Sequence, residues 1–360
     1  MLGLDVLFKA LKHKEDRTFL EANRRRYLDF GSNTFMNRLI FAPAIATIEP
    51  ENVKTILSLK FKDYSLGVRR KAFSPLLGQG IFNADGHTWA TSRHLLRPNF
   101  AREQLADLDM LERHFKLMLK HIPKDGTTVD LQELFFCMTM DTATEFLFNH
   151  STNSLQMVGQ NDSNNMDDIF AKAFNLAQND MLTRTQFSII YPFLRKTKKE
   201  ADEAIRICHA YIDKWVDDAV RHREKAKAAP EGAAEAAKGE ERYIFIHELA
   251  KQTSDKKRLR DELINILLAG RDTTASLLSN MFFEIAKQPH IYQKLQEEVA
   301  SLDGRMPTYE ELRNLKYVKW CLQECKVSLP HFFLSSLAAS IAPVHPTYAD
   351  ESHQPSASTP

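Results

Sequence analysis

Leu267-Leu268-Ala269-Gly270-Arg271-Asp272-Thr273-Thr274-Ala275 is the stretch on which the architecture turns, because it can be read in two ways. In one, Gly270 closes a helix and Asp272 caps the next, and a glycine inside a helix costs about 1 kcal/mol. In the other, a single helix runs straight through. Leu263, Leu267, Gly270, Thr274, Leu278, Met281 and Ile285 follow one another at steps of three or four residues and hold one helical face. That unbroken phase predicts one helix with a local weakness built into it. Ile264, Ile266, Leu268, Leu277 and Phe282 occupy its other faces, so it reads as apolar nearly all round and buried. A small residue and two hydroxyls midway along such a helix leave room for a ligand.

Helical patterns dominate on both sides. An amphipathic helix is expected over 1–30, a strand pair over 35–48, and a helix opening at Glu49-Pro50-Glu51. The Gly- and Pro-rich stretch from Gly67 to Gly86 reads as a loop. Helices are then expected over 87–120, 131–149, 166–180, 197–226 and most of 255–324, with a turn at 161–165. The fold class is mainly α with a small β region. Residues 226–241, rich in Ala, Glu and Lys, read as a low-complexity surface connector. From Val327 to Ala349 there is no Asp, Glu, Lys or Arg, and Pro330, Pro343 and Pro346 oppose a helix. This tail is expected to be disordered.

Composition excludes several classes of function. Lys and Arg total 48 against 47 for Asp and Glu, so no overall field recruits nucleic acid. The 23 phenylalanines suit a large apolar interior or an apolar ligand pocket. Cys137, Cys208, Cys321 and Cys325 form neither a disulfide framework nor a CxxC zinc pattern. The N-terminal apolar run meets Asp5, Lys9 and Lys12 too soon to span a membrane.

A second motif lies in Gly86-His87-Thr88-Trp89-Ala90-Thr91-Ser92-Arg93-His94-Leu95-Leu96-Arg97-Pro98. Trp89 and Arg93 are four apart and share a helix face, with Arg97 expected further along the same helix. Taken alone this is an amphipathic surface helix anchored by Trp89. An indole N–H and a guanidinium fork are both hydrogen-bond donors.

Together the two motifs resemble the cytochrome P450 family. The resemblance continues through Gln288-Pro289-His290, Thr308-Tyr309-Glu310-Glu311-Leu312 and Leu315-Lys316-Tyr317. Phe61–Gly67, Leu76–Phe82 and Arg97–Glu103 look most like fungal alkane and fatty-acid hydroxylases. The resemblance implies a P450 fold, incomplete at its C-terminal end, with a partial catalytic domain over 1–325 and a tail over 326–360 outside the family. It implies a haem cofactor whose propionates are held by Trp89, Arg93 and, further along, Arg97. Ala269, Gly270 and Thr274 would border the oxygen and substrate pocket. Thr273 would place its hydroxyl at the oxygen, and Asp272 would deliver protons. A NADPH–cytochrome P450 reductase would supply electrons to oxidise a hydrophobic small molecule, at the endoplasmic reticulum membrane for the full-length family.

The pattern then breaks. The family carries Glu-x-x-Arg where this chain has Glu324-Cys325-Lys326-Val327, and no glycine-framed cysteine loop follows. None of the four cysteines is expected to ligate iron. Lys326-Val327-Ser328 is also what a frame reads on crossing a splice donor, which suggests a retained intron or a gene-model error. The alternatives for the chain as given are therefore a catalytically inactive fragment, cytoplasmic or degraded, and a small lipid-binding helical protein.

Overall fold

Helices carry most of the chain, as the recurring apolar spacing requires. The computed structural model describes residues 12, 16, 18–39, 42–100, 108–160, 164–187, 191, 195–228, 243–328 and 342–343. The chain divides into two units, one formed by Met1–Ala72 with Leu334–Pro360 and the other by Phe73–Phe333.

In the first unit, α1 (Phe19–Phe30) ends at Gly31, whose φ of 58° a side chain would oppose. The start of the helix expected over 1–30 lies outside the described residues apart from 12, 16 and 18. The strand pair is present: β1 (Thr34–Leu39) runs antiparallel to β2 (Ala42–Thr47), with Thr34 opposite Thr47. Phe30 stacks on Phe35 and Tyr27 meets it edge-on, centroids 4.7 and 4.8 Å away, tying the helix to the hairpin. Pro50 starts α2 (Pro50–Lys54), where its missing amide hydrogen costs nothing. A short β3 (Tyr64–Ser65) pairs with β4 (Ala342–Pro343). This pairing falls inside the tail expected to be disordered; it uses an extended segment, the conformation that Pro343 favours. The rest of the tail beyond Ser328 lies outside the described residues.

The loop expected from Gly67 to Gly86 is corrected by α3 (Val68–Leu77), which contains Pro75. Burial of Phe73, Leu76 and Leu77 outweighs the helix bond the proline lacks. The glycines fall at its ends, Gly67 before it and Gly78 after it, both at positive φ. The described residues of 87–120 are helical as expected, but Arg97 does not continue the helix of Trp89 and Arg93. They form α4 (Gly86–Leu96), then a 3-10 turn (Arg97–Phe100), and α5 (Leu108–Leu119). Pro98 cannot donate to the helical ladder, so Arg97 sits in the turn rather than on α4.

The remaining helices are α6 (Leu131–Phe148), α7 (Met166–Phe187), α8 (Arg195–Ala228) and α9 (Phe245–Gln252). The connector expected at 226–241 begins with the last turn of α8, and its other residues lie outside the described ones; of the turn at 161–165 only Asn164 and Asn165 are described.

Leu267–Ala275 lies within α10 (Lys256–Lys287), a single helix of 32 residues capped by Asp255. No cap intervenes at Gly270 or Asp272. α10 packs along α6 and α8, and Ala275 joins Met118, Leu134, Phe135 and Leu155 in an apolar cluster. The expectation of an apolar, buried cylinder needs correction, however. Its buried residues include Asp261, Glu262, Asn265, Arg271 and Asp272, whereas Phe282 and Phe283 are 44% and 60% exposed. Each of these five side chains has at least one hydrogen-bond partner, which makes that burial tolerable. After it come α11 (Pro289–Val299), α12 (Tyr309–Asn314) and α13 (Lys316–Ser328). Glu298 accepts the backbone N–H groups of Tyr317 and Val318 at 2.8 and 2.9 Å and so caps α13. That helix runs to Ser328, past the domain boundary expected at 325.

Candidate functional site

Small residues on α10 open one wall of a cavity of about 1130 Å³ within the second unit. Ile266, Ala269, Gly270 and Thr274 form that wall; Thr139, Ala143 and Phe146 of α6 lie beside it, and Met110 and Leu111 come from α5. A side-chain carbon at Gly270 would meet Ala143 Cβ at 3.7 Å, an ordinary contact. Packing therefore does not demand glycine there. What glycine does is bare the helix backbone to the cavity.

The cationic end comes from α4 and the turn after it. Arg93 and Arg97 both line the cavity and are exposed, and neither has an ion-pair partner among the described residues. Arg93 stands over the indole of half-buried Trp89, 5.7 Å from its centroid, which orients the guanidinium. Trp89 itself is not among the lining residues. Arg258 of α10 steadies α4 from behind, donating to Ser92 Oγ at 2.7 Å and to the Thr88 carbonyl at 3.3 Å.

Of the sequence-predicted residues, Ala269, Gly270, Thr274, Arg93 and Arg97 come together in this cavity. Asp272 does not. It lies on the opposite side of α10, buried, accepting from Arg271 Nη1 at 3.1 Å and from the Gln178 side-chain amide. Burial pushes its carboxyl above the usual range, and Arg271 only partly offsets that. Arg271 is itself buried between Phe136 and Phe174, 5.0 and 5.7 Å from their centroids. Thr273 is exposed and also absent from the lining; its hydroxyl donates to the Ala269 carbonyl at 2.6 Å.

Sequence reasoning missed the polar residues that join α10 to the 77–82 turn. Asp261 Oδ2 accepts from Gln79 N at 2.9 Å, Glu262 Oε2 from Ile81 N at 3.0 Å, and Asn265 Oδ1 from Phe82 N at 2.9 Å. Burial raises the Glu262 carboxyl, although Arg258 Nε approaches it at 2.9 Å. The available signal was Asp261 and Asn265 at i and i+4 in an apolar helix, set against Gly78-Gln79-Gly80.

The residues fit a haem on one side only. Two arginines suit two propionates, and the bared backbone at Gly270 suits a flat apolar group with space beside it. An axial sulfur is another matter. None of the four cysteines lines the cavity. Burial pushes the Cys137 thiol up to about 11 and Cys208 to about 12, and raises Cys321 and Cys325 as well. All four sit inside helices, without the free backbone amides that stabilise a thiolate. Among the described residues no helix is long and apolar enough to cross a membrane.

Comparison with known proteins agrees with the geometry. The family described as Cytochrome P450 matches residues 6–325. Cytochrome P450 monooxygenase himC of Aspergillus japonicus is 44% identical over 326 residues, covering 90% of this chain and 57% of that protein. Cytochrome P450 monooxygenase fsdH of Fusarium heterosporum is 41% identical, with 89% and 56% covered. Cytochrome P450 52A13 of Debaryomyces hansenii is 39% identical, with 89% and 62% covered. The chain thus spans about three-fifths of the length of the curated relatives it matches.

Proposed function

This chain belongs to the cytochrome P450 family, and we propose that it supplies the oxygen-side face and the propionate anchors of a monooxygenase acting on a hydrophobic substrate. One observation carries this reading: a single cavity has the bared backbone of Gly270 on one wall and Arg93 and Arg97 at its edge. Haem, when bound, supplies activation of dioxygen for insertion of one oxygen atom into a C–H bond, with electrons from a NADPH–cytochrome P450 reductase. Arg93 and Arg97 hold its carboxylates, and the stack of Arg93 on Trp89 orients that grip. Ala269 and Gly270 keep space open beside the helix. Proton handling falls to Thr273 and Asp272 on the family resemblance alone: neither lines the cavity, the Thr273 hydroxyl donates to the Ala269 carbonyl, and Asp272 is held by Arg271 and Gln178, so both act there only after leaving these partners. An alkane or fatty acid is the substrate class we propose, on the apolar lining from Phe82, Phe100, Phe146 and Leu147.

A second reading concerns these 360 residues by themselves: they carry out no thiolate-dependent oxygenation. The placement of all four cysteines away from the cavity favours it.

Haemin titration tests the first reading. The wild-type chain should bind haemin. Each charge-assisted hydrogen bond contributes about 1.5–3 kcal/mol, so Arg93→Ala and Arg97→Ala should each weaken binding by roughly tenfold or more. Haemin affinity indifferent to both substitutions would remove the proposed anchors.

A further inference from the structure

We infer that Asn265 is a positioning residue that sets where Phe82 stands in the cavity wall, and so how well an apolar ligand fits. The inference rests on the reading that the cavity takes such a ligand. Asn265 is fully buried in α10. Its amide closes both ends of one turn: Nδ2 donates to the Leu77 carbonyl at 2.9 Å, and Oδ1 accepts from Phe82 N at 2.9 Å. Nδ2 also donates to the Asp261 carbonyl at 2.6 Å, which fixes the rotamer. An aspartate of the same shape keeps the acceptor and loses both donors.

The turn fits the amide tightly. A side-chain carbon at Gly80 would overlap the Asn265 amide, and one at Gly78 would overlap the Asp261 carboxyl. Gly80 is therefore required by close approach of its backbone to α10. The consequence reaches the cavity. Ile81 and Phe82 leave this turn to line it, while Ile266, Ala269 and Gly270 line it from the same helix, within five residues of Asn265. One helix thus carries both the clamp and part of the wall, so the clamp fixes where Phe82 stands relative to the part of the wall that α10 supplies.

Titration of the purified chain with cis-parinaric acid, read by fluorescence, tests this. Phe82→Ala removes an aromatic part of the wall and should weaken binding about tenfold. Asn265→Asp should do the same, and amide exchange should show the Phe82 N–H losing protection. The deciding variant is the double one. If Asn265 acts through Phe82, the pair loses about tenfold; independent effects multiply to about a hundredfold. A merely stabilising asparagine gives independent effects or leaves affinity unchanged, and either result overturns the inference. If Asn265→Asp does not fold, Gly80→Ala displaces the same amide from the turn side and enters the same cycle. Parinarate binding that is absent from the wild-type chain would overturn the apolar-ligand reading itself, whereas wild-type binding with a multiplicative cycle overturns only the role of Asn265.

Discussion

Arg271→Met should lower the stability of the folded chain by about 3–5 kcal/mol, the cost of leaving one member of a buried ion pair alone. Arg271 and Asp272 are both buried and 3.1 Å apart, and Gln178 is their hydrogen-bonding neighbour from α7. Methionine can occupy the slot between Phe136 and Phe174, so packing is largely kept. What remains is a carboxyl in an apolar surround. Burial already raises Asp272 above the ordinary carboxylate range, and losing Arg271 raises it further. A carboxyl raised in the folded state contributes stability at low pH that is lost as pH rises through its folded value. The deficit of Arg271→Met should therefore be smaller in mild acid than at neutral pH. Urea unfolding midpoints at both conditions measure it. Adding Asp272→Asn should restore most of the loss, and a deficit that grows toward acid would refute the assignment.

Asp141→Ala should cost roughly 2–4 kcal/mol, since it strands the buried Leu155 N–H at about 1–3 kcal/mol and the half-buried Ser154 N–H at less. Asp141 is fully buried on α6 and accepts from Ser154 N at 2.6 Å, Leu155 N at 3.0 Å and Thr152 Oγ1 at 2.9 Å. It therefore holds the 151–155 turn against the helix. Asp141→Asn retains an acceptor and should lose less. The pH behaviour again has a definite sign. Burial raises the carboxyl, its hydrogen bonds only partly opposing that. Its contribution thus declines from acid toward neutral pH in the wild type. In Asp141→Asn that decline should be shallower, which denaturant melts across the acid-to-neutral range will show. An equal or steeper decline would contradict the buried-carboxyl picture.

Much of the second unit could be read along the chain because its decisive signals are local. The phase from Leu263 to Ile285 is a property of one helix, and it foretold α10 running through Gly270. Gly270 and Thr274 share that phase, and both line the cavity. Arg93 and Trp89 meet because they are four apart on α4. Pairings distant in sequence were not legible. The direction of Asp272 depends on Gln178, 94 residues away, and the turn at Gln79–Phe82 is held by carboxyl and amide groups more than 180 residues later. Glycine and proline misled where they do two jobs. Gly78 and Gly80 look like loop punctuation, yet they permit close approach to α10, and Pro75 sits within a helix that burial sustains. Arg97 was assigned to α4 because its spacing allowed it, and Pro98 ends that helix one step earlier.

The reduced carbon monoxide spectrum of the haemin-loaded chain tests the central claim most directly, namely that these residues provide the oxygen side of the site and no axial thiolate. Haem should bind without the thiolate-type band, and the spectrum should be the same after Cys137, Cys208, Cys321 and Cys325 are all replaced by serine. A thiolate-type band that vanishes on replacing any one of those cysteines would contradict it.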